Sequence, residues 1–267
     1  VMVQIALLAT IMILPMLWLE RPGEKRFPWS PGGEGVVKEE NYGNPRVLKT
    51  NMVLAFSLRT TFVFLVFTLM HNLGPEIGKF MAKGICTNSL HWTHVELSGA
   101  RFVALGPEIL LALLGGFLSH YWGRRTILII GMSSYALLNI VAAAVPDIWA
   151  TTWFPTAYLV LSPGLIAVGS VAFLSMAMRI SWTQAVGTVF TTYMALSNVS
   201  SVLGKRMVGT LYREFGYYQS FYVAASMALV PLFLLVLVSP RQVDDAKKEL
   251  SGDPLLFGPE DEEQAVE

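Results

Sequence analysis

"GGFLSHYWGRR", residues Gly115 to Arg125, is a short turn between two long apolar runs, residues 97–118 and 126–145. A helix needs about 20 mostly apolar residues to cross the hydrocarbon core of a bilayer, and each run is that long. Backbone groups in lipid must be hydrogen-bonded within their own segment. The two runs therefore predict membrane-spanning α-helices, joined by a turn that carries two adjacent arginines.

The rest of the chain repeats this pattern of apolar runs. The 267 residues are 54% apolar and 14% charged, where a soluble domain carries about 25% charged residues. The fold class predicted is all-α: a polytopic membrane protein with seven transmembrane helices. The five other spans are residues 2–19, 51–73, 153–176, 186–211 and 218–239.

Two polar segments interrupt the helices. Residues 20–50 form a linker rich in Pro, Gly, Lys and Glu, and nine of the nineteen acids lie beyond residue 240. Clustered charge with Pro and Gly predicts a disordered, solvated tail at 241–267. The organisation is one helix at 1–19, the linker at 20–50, and a six-helix block at 51–240.

The basic residues of the loops predict which side each loop occupies. With the linker, the Arg124 turn, the turn near Arg179 and the tail on one side, that side holds twelve Lys and Arg, and the other side three. Cytoplasmic loops carry the excess of positive charge. We therefore expect the linker, the Arg124 turn and the C-terminus to be cytoplasmic, in a membrane that the sequence does not identify.

The turn from Gly116 to Arg125 resembles the loop motif of the major facilitator superfamily, G-x-x-x-D-R-x-G-R-R. Gly116, Gly123, Arg124 and Arg125 match it, whereas His120 stands in place of the Asp and a Tyr in place of the Arg. We expect Gly116 to allow close helix approach and Gly123 to allow the sharp turn. The resemblance implies that the arginines latch onto the C-terminal end of a neighbouring helix, with His120 tuning that latch. From the arginines alone, a plain cytoplasmic anchor is the alternative.

A finer resemblance covers roughly residues 1–20 and 98–240. "LPMLWLERP", "SWTQAVGTVFTTYMALSNVSSVLG" and the "FGYYQSFY" turn are similar to AmpG-like permeases and their acetyl-CoA transporter relatives. The match departs from those permeases at Val189 and at Ser200-Ser201. The resemblance implies that 51–240 is the C-terminal bundle of a twelve-helix transporter. Residues 1–19 would end an N-terminal half missing from this chain, and the isolated chain would not transport.

Ionisable residues inside the spans are the candidate site, because they are costly in a membrane and mark function by default. Glu108 lies near mid-span, directly after Pro107, and Arg101 lies seven residues earlier on the same helix face. We expect Glu108 to bind substrate or carry a proton, with Arg101 near the outer end of the cavity. The alternative is that Glu108 only pairs structurally with a basic residue.

Three further polar residues are candidates for the same site. Arg59 lies inside the second span, and Asn198 and Lys205 share a face of the sixth span of the seven. Together with Arg101, the cations Arg59 and Lys205 favour an anionic solute. The alternative for Arg59 and Lys205 is snorkelling to the nearer headgroups.

"LSPGLIAVGS", Leu161 to Ser170, places Pro and Gly in the first half of one span. Discontinuous helices line the substrate sites of many transporters, so a break in this span is one expectation. Packing of small residues against a neighbouring helix is the other.

The function predicted is secondary active transport, proton-coupled and by alternating access, of a small organic solute, with an anion favoured by the cations named above. The alternatives are a seven-helix receptor-like protein and a non-transporting membrane sensor or scaffold. No enzymatic motif, cofactor motif or metal-ligand spacing is present, and the single cysteine, Cys86, excludes an intrachain disulfide. The partners expected are the lipid bilayer, the solute and the missing N-terminal half, and no nucleic acid.

Overall fold

The computed structural model describes residues 56–151, 153–181 and 186–238, with Val53 and Val243. All of them belong to one compact unit, Arg46–Glu267. The predictions for residues 1–19, 20–50 and nearly all of 241–267 lie outside the described residues. The described part is almost entirely helical and contains no β-strand.

Six α-helices and two short helical turns make up this part of the chain. The turns are a π-helical turn, Ile85–Ser89, and a 3₁₀ turn, Pro146–Ala150. The helices are α1 Arg59–His71, α2 Leu73–Gly84, α3 His94–Trp122, α4 Arg124–Ala144, α5 Phe154–Ile180 and α6 Val186–Leu237.

Four of these helices, α3 to α6, are long and apolar enough to cross a membrane. Large apolar side chains remain exposed along them, including Phe102 and Leu113 of α3 and Phe233 of α6. Exposed apolar faces of this extent suit lipid, so the multi-pass membrane class is confirmed at this level. Their bounds agree with the predicted spans to within a few residues at most ends.

The long helix α6 is folded back on itself at Gly216, where φ is +70° and ψ is −173°. A Cβ on Gly204 would lie 3.0 Å from the Leu73 carbonyl oxygen, and one on Gly74 would lie 2.7 Å from the amide of Ala228. Positions 204 and 228, each about 18 Å along the helix from the break, thus contact the same turn of α2. The two arms of α6 form a hairpin, as the separate predicted spans 186–211 and 218–239 require.

The helical segment at the start of the described region is longer than predicted. The predicted span ended at residue 73, but helix continues through α2 and the π-helical turn to Ser89. Asn72 joins α1 to α2 and is fixed by α6, because its side-chain amide donates to the Ser197 hydroxyl at 2.8 Å and its backbone amide to the Ser200 hydroxyl at 3.2 Å. The predicted end of this span at residue 73 is therefore wrong.

Two helix boundaries follow directly from local sequence. Thr93 caps α3: its hydroxyl accepts from the Glu96 amide, and the Glu96 carboxylate accepts from the Thr93 amide at 2.7 Å. This reciprocal pair satisfies two backbone donors that a helix start leaves free. Gly123 ends α3 and begins α4 with φ +85°, a conformation that favours glycine.

The helices pack around two apolar clusters at opposite ends of the bundle. One is centred on Phe64, Phe173 and Tyr193, and the other on Trp149 and Phe221. Within these contacts, α2 packs mainly on α6, whereas α3 packs mainly on α5. Because α2 and α3 pack on different helices, a gap remains between them, and α5 lines this gap.

Candidate functional site

The gap between α2 and α3 is a cavity of about 700 Å³. That volume is typical of small-molecule sites, which run from about 300 to 1,000 Å³. Five charged side chains line the cavity: Glu76, Lys79 and Lys83 of α2, and Arg101 and Glu108 of α3. Ionisable groups are costly within membrane-spanning helices, as Arg101 and Glu108 are in α3. The convergence of these two with the charged face of α2 on one cavity marks it as the candidate site.

Glu108 and Arg101 form an ion pair in this cavity. Nη2 of Arg101 lies 3.1 Å from Oε2 of Glu108, and the side chains are 54% and 30% exposed for Arg101 and Glu108 respectively. The predicted shared face of these residues is thereby confirmed. Oε2 of Glu108 is buried and accepts no hydrogen bond of good geometry, so the contact with Arg101 is electrostatic.

A second acid, Glu76, lies in the same cavity and was not among the residues predicted from the sequence. Its Oε1 lies 3.8 Å from Nζ of Lys79, and its Oε2 lies 3.8 Å from Nζ of Lys205 on α6. The Glu76 side chain is 15% exposed, and Oε2 has no hydrogen-bond donor. Lys205, a predicted site residue, is therefore paired with an acid, while its own side chain stays half exposed.

The sequence does contain a signal for Glu76. "LGPEI" occurs twice, at residues 73–77 and at 105–109, and the glutamate of each copy lines the cavity. Glu76 was overlooked because the span containing it was expected to end at residue 73. Recognition of the repeat would have assigned the two acids together.

Tyrosine hydroxyls and close helix packing hold Glu76 in place. The Tyr135 hydroxyl is 3.4 Å from the carbonyl oxygens of Gly74 and Pro75, the two residues before Glu76. A Cβ on Gly204 would lie 3.0 Å from the Cβ of Glu76. A side chain at 204 would push α6, and with it Lys205, away from α2 by a few tenths of an ångström.

A buried hydrogen-bond network supports the cavity wall from behind. The Tyr158 hydroxyl, which lines the cavity, donates to Oδ1 of Asn139 at 3.0 Å. The Asn139 amide in turn donates to the Tyr135 carbonyl oxygen at 2.7 Å. Gly78 of α2 lies against these polar atoms, where any side chain would collide with them.

Two predicted site residues do not join the cavity. Arg59 is exposed at the first residue of α1, and Asn198 is exposed on α6. Neither lines the cavity, although Ser201, on the predicted face with Asn198, does. The assignment of Arg59 and Asn198 to this site is therefore corrected. Their spacing placed them on helices correctly but did not indicate which way their side chains face.

The loop motif is organised as expected at two of its positions. Gly123 makes the turn with positive φ, and Nη1 of Arg124 donates to the Ser175 carbonyl oxygen at 3.0 Å, close to the C-terminal end of α5. His120 is exposed, its ring edge against Tyr121. Arg125 is partly buried.

The close helix approach expected at Gly116 occurs instead at its neighbour. A Cβ on Gly116 would make an ordinary contact of 3.5 Å with Val171, whereas one on Gly115 would lie 3.0 Å from the Cα of Val168. The role predicted for Gly116 is therefore wrong. Consecutive residues of a helix point about 100° apart, and it is the Gly115 direction that faces α5.

The break expected in "LSPGLIAVGS" is also absent, because α5 is helical from Phe154 to Ile180 with Pro163 inside it. The packing alternative holds. A Cβ on Gly131 of α4 would lie 2.8 Å from the amide nitrogen of Gly169, and Gly164 faces Leu111 of α3. These glycines bring α3, α4 and α5 into close contact.

No protein-family model, curated protein or solved structure matches this chain. Its function is therefore argued from its own residues and geometry.

Proposed function

We propose that this chain is part of a secondary active transporter of the major-facilitator type, which moves a small organic solute by alternating access coupled to protons. The observation that carries the proposal is the cavity between α2, α3 and α5, which is lined by five charged side chains. A scaffold or a purely structural bundle has no need of two acids and three cations facing one cavity inside a membrane. The resemblance of the Gly116–Arg125 loop points to the same class.

In this proposal Glu108 is the proton-coupling carboxylate. Its Oε2 is held by charge alone, 3.1 Å from Arg101. Protonation of the carboxylate would remove that attraction and free the guanidinium to bind solute. Deprotonation would restore the ion pair and release the solute, which links the two binding events in the manner of reciprocal coupling.

The Arg124 turn is proposed as the element that senses the access state. Its contact with the Ser175 carbonyl oxygen joins the α3–α4 turn to α5, the helix that forms the cavity floor. A movement of α5 that opens the cavity to the other side would break this hydrogen bond. The acid that the family motif has at position 120 is replaced by His120, so this single contact carries the latch.

The test is uptake into vesicles from cells expressing the gene that encodes this chain, with an imposed proton gradient. Succinate and lactate serve as anionic probes and glucose as a neutral one. We expect gradient-driven accumulation of an anionic probe, lost in Glu108→Gln and kept in the matched control Glu214→Gln, an exposed acid of α6 outside the cavity.

Other outcomes would decide for the alternatives. A receptor would bind a probe without accumulating it, and a scaffold would do neither. Accumulation that survives Glu108→Gln unchanged would refute the coupling role of Glu108. Uptake by the isolated 267 residues would refute the expectation that this chain does not transport alone.

A further inference from the structure

The charges that face the cavity are unbalanced. Lys79, Lys83 and Arg101 line it against only two acids, Glu76 and Glu108. Lys205 adds a further positive charge 3.8 Å from Glu76. Among the described residues, the lining and its immediate partner therefore carry an excess of two positive charges, which an anionic ligand would neutralise.

Two of these four cations share one face of α2. Glu76, Lys79 and Lys83 follow each other at three- and four-residue spacing on α2, so their side chains form one row. The Lys79 side chain is 63% exposed, and its Nζ lies 3.8 Å from Oε1 of Glu76. That distance is too long for a hydrogen bond. Its ammonium group therefore keeps free hydrogen-bond donors for a ligand.

The α5 side of the same cavity carries no charge. Its lining is mostly aliphatic, with Ile166, Val171 and Leu174 among it, and also includes the hydroxyl residues Tyr158, Ser162 and Ser170. A cavity with cations on one wall and aliphatic side chains on the other matches a ligand with an anionic group and an apolar body.

We propose that this cavity binds a soluble amphiphilic organic anion of one or two negative charges, a carboxylate or phosphate ester. Lys79 and Lys83 hold its anionic group, and its apolar part packs on α5. Glu76 is the counter-ion of the empty site, which the ligand displaces from Lys79. This assignment rests on the proposed function, of which it specifies the solute class and adds Glu76 to the site.

The displacement by the ligand is favoured by the present contacts of Glu76. Both of its cation contacts are 3.8 Å long, and its buried Oε2 accepts no hydrogen bond. When the ligand takes Lys79, Glu76 keeps its other cation contact, 3.8 Å from Nζ of Lys205. A ligand anion that accepts direct hydrogen bonds from the Lys79 ammonium group replaces this weak Glu76–Lys79 pair by a stronger one.

The experiment measures binding to the purified chain in nanodiscs of phosphatidylcholine. The probe is 1-naphthyl phosphate, whose intrinsic fluorescence reports binding and which has both the charge and the apolar body. 1-Naphthol lacks the charge, and glycerol phosphate lacks the apolar body. We expect 1-naphthyl phosphate to bind, with an affinity that falls as salt rises, and the two partial probes to bind at least tenfold more weakly.

Matched substitutions then separate the site from general charge effects. Lys79→Gln should weaken binding about tenfold, since a charge-assisted hydrogen bond is lost. Arg213→Gln, which removes a cation outside the cavity, should leave binding unchanged. Glu76→Gln should tighten binding severalfold because the competing carboxylate is gone, whereas Glu214→Gln should have no effect.

Glu76→Gln is expected to tighten binding, whereas Lys79→Gln is expected to weaken it. A damaged fold can only weaken binding, so tighter binding in Glu76→Gln cannot be attributed to misfolding. Weaker or unchanged binding in Glu76→Gln, or equal effects of Lys79→Gln and Arg213→Gln, would overturn the assignment. If Glu76→Gln does not fold, the Lys79→Gln comparison still decides, since Lys79 is exposed. Loss of binding when phosphatidylglycerol is added would overturn the soluble source and assign the site to a lipid headgroup.

The binding and uptake experiments can refute the anion site and the transporter proposal independently. Binding with this dependence on Lys79 and Glu76, but without proton-driven uptake in vesicles, would refute the transporter proposal and leave the anion site standing. Proton-driven uptake that is indifferent to Lys79→Gln and Glu76→Gln would do the reverse.

Discussion

The ion pair between Arg101 and Glu108 can be measured with a double-mutant cycle. The variants are Arg101→Gln, Glu108→Gln and the double variant, each close in size to the original side chain. At 3.1 Å, Coulomb's law gives about 5 kcal/mol for an effective dielectric constant of 20 and about 1.3 kcal/mol in water. Because Arg101 is 54% exposed, we expect a coupling free energy near the lower limit, about 1–2 kcal/mol.

The assay is reversible unfolding by SDS titration in mixed micelles, at low salt and at 0.5 M salt. The coupling free energy should decrease as salt screens the pair. A matched cycle of Glu108 with Lys83, a cation of the same cavity for which no ion pair with Glu108 is found, should give a coupling close to zero. Equal coupling in the two cycles would refute a specific Arg101–Glu108 pair.

Three further predictions test local features of the structure. Gly216→Ala should lower the free energy of unfolding by about 1–3 kcal/mol, because φ +70° with ψ −173° is strained for any side chain; the same SDS titration measures it. Tyr158→Phe should lower the free energy of unfolding by about 1–3 kcal/mol, since Oδ1 of Asn139 loses the donor it has at 3.0 Å. If Tyr158→Phe costs as much in an Asn139→Leu background as in the unchanged chain, this explanation is contradicted. Burial raises the pKa of the Cys86 thiol to about 11, so its thiolate fraction, and with it alkylation by iodoacetamide, should be about 100-fold lower than for a free thiol; rapid alkylation of the folded chain would show that the site is open.

The apolar pattern predicted the helices well because it needs only local information. A run of about twenty apolar residues between polar turns can satisfy its backbone in lipid in one way, as a helix. The predicted ends of α3 and α4 are accordingly within a few residues of the observed ones. The predicted end of the first described span, at residue 73, was wrong because α2 is amphipathic. Glu76, Lys79 and Lys83 of α2 face the cavity, so the segment lacks the continuous apolar pattern.

The direction in which each residue faces could not be obtained from spacing alone. Arg101 and Glu108 were placed together correctly because they share one helix and seven residues make two turns. Asn198 was assigned to the site by the same logic on α6, but its side chain is exposed outside the cavity, although Ser201 of the same predicted face lines it. The partnership of Glu76 with Lys205 joins helices far apart in sequence, so only the folded chain brings it out.

Every function proposed above requires that water can enter the cavity between α2, α3 and α5. The reactivity of single cysteines in a Cys86→Ala background toward a charged, membrane-impermeant thiosulfonate measures this access. Ser170 lines the cavity in the middle of α5, whereas Leu161 is exposed outside it, about 13 Å nearer to the N-terminal end of that helix. We predict that Ser170→Cys reacts from the side opposite Arg124 and that Leu161→Cys, facing lipid, does not. Reaction of Leu161→Cys with protection of Ser170→Cys would contradict the cavity and every function proposed for it.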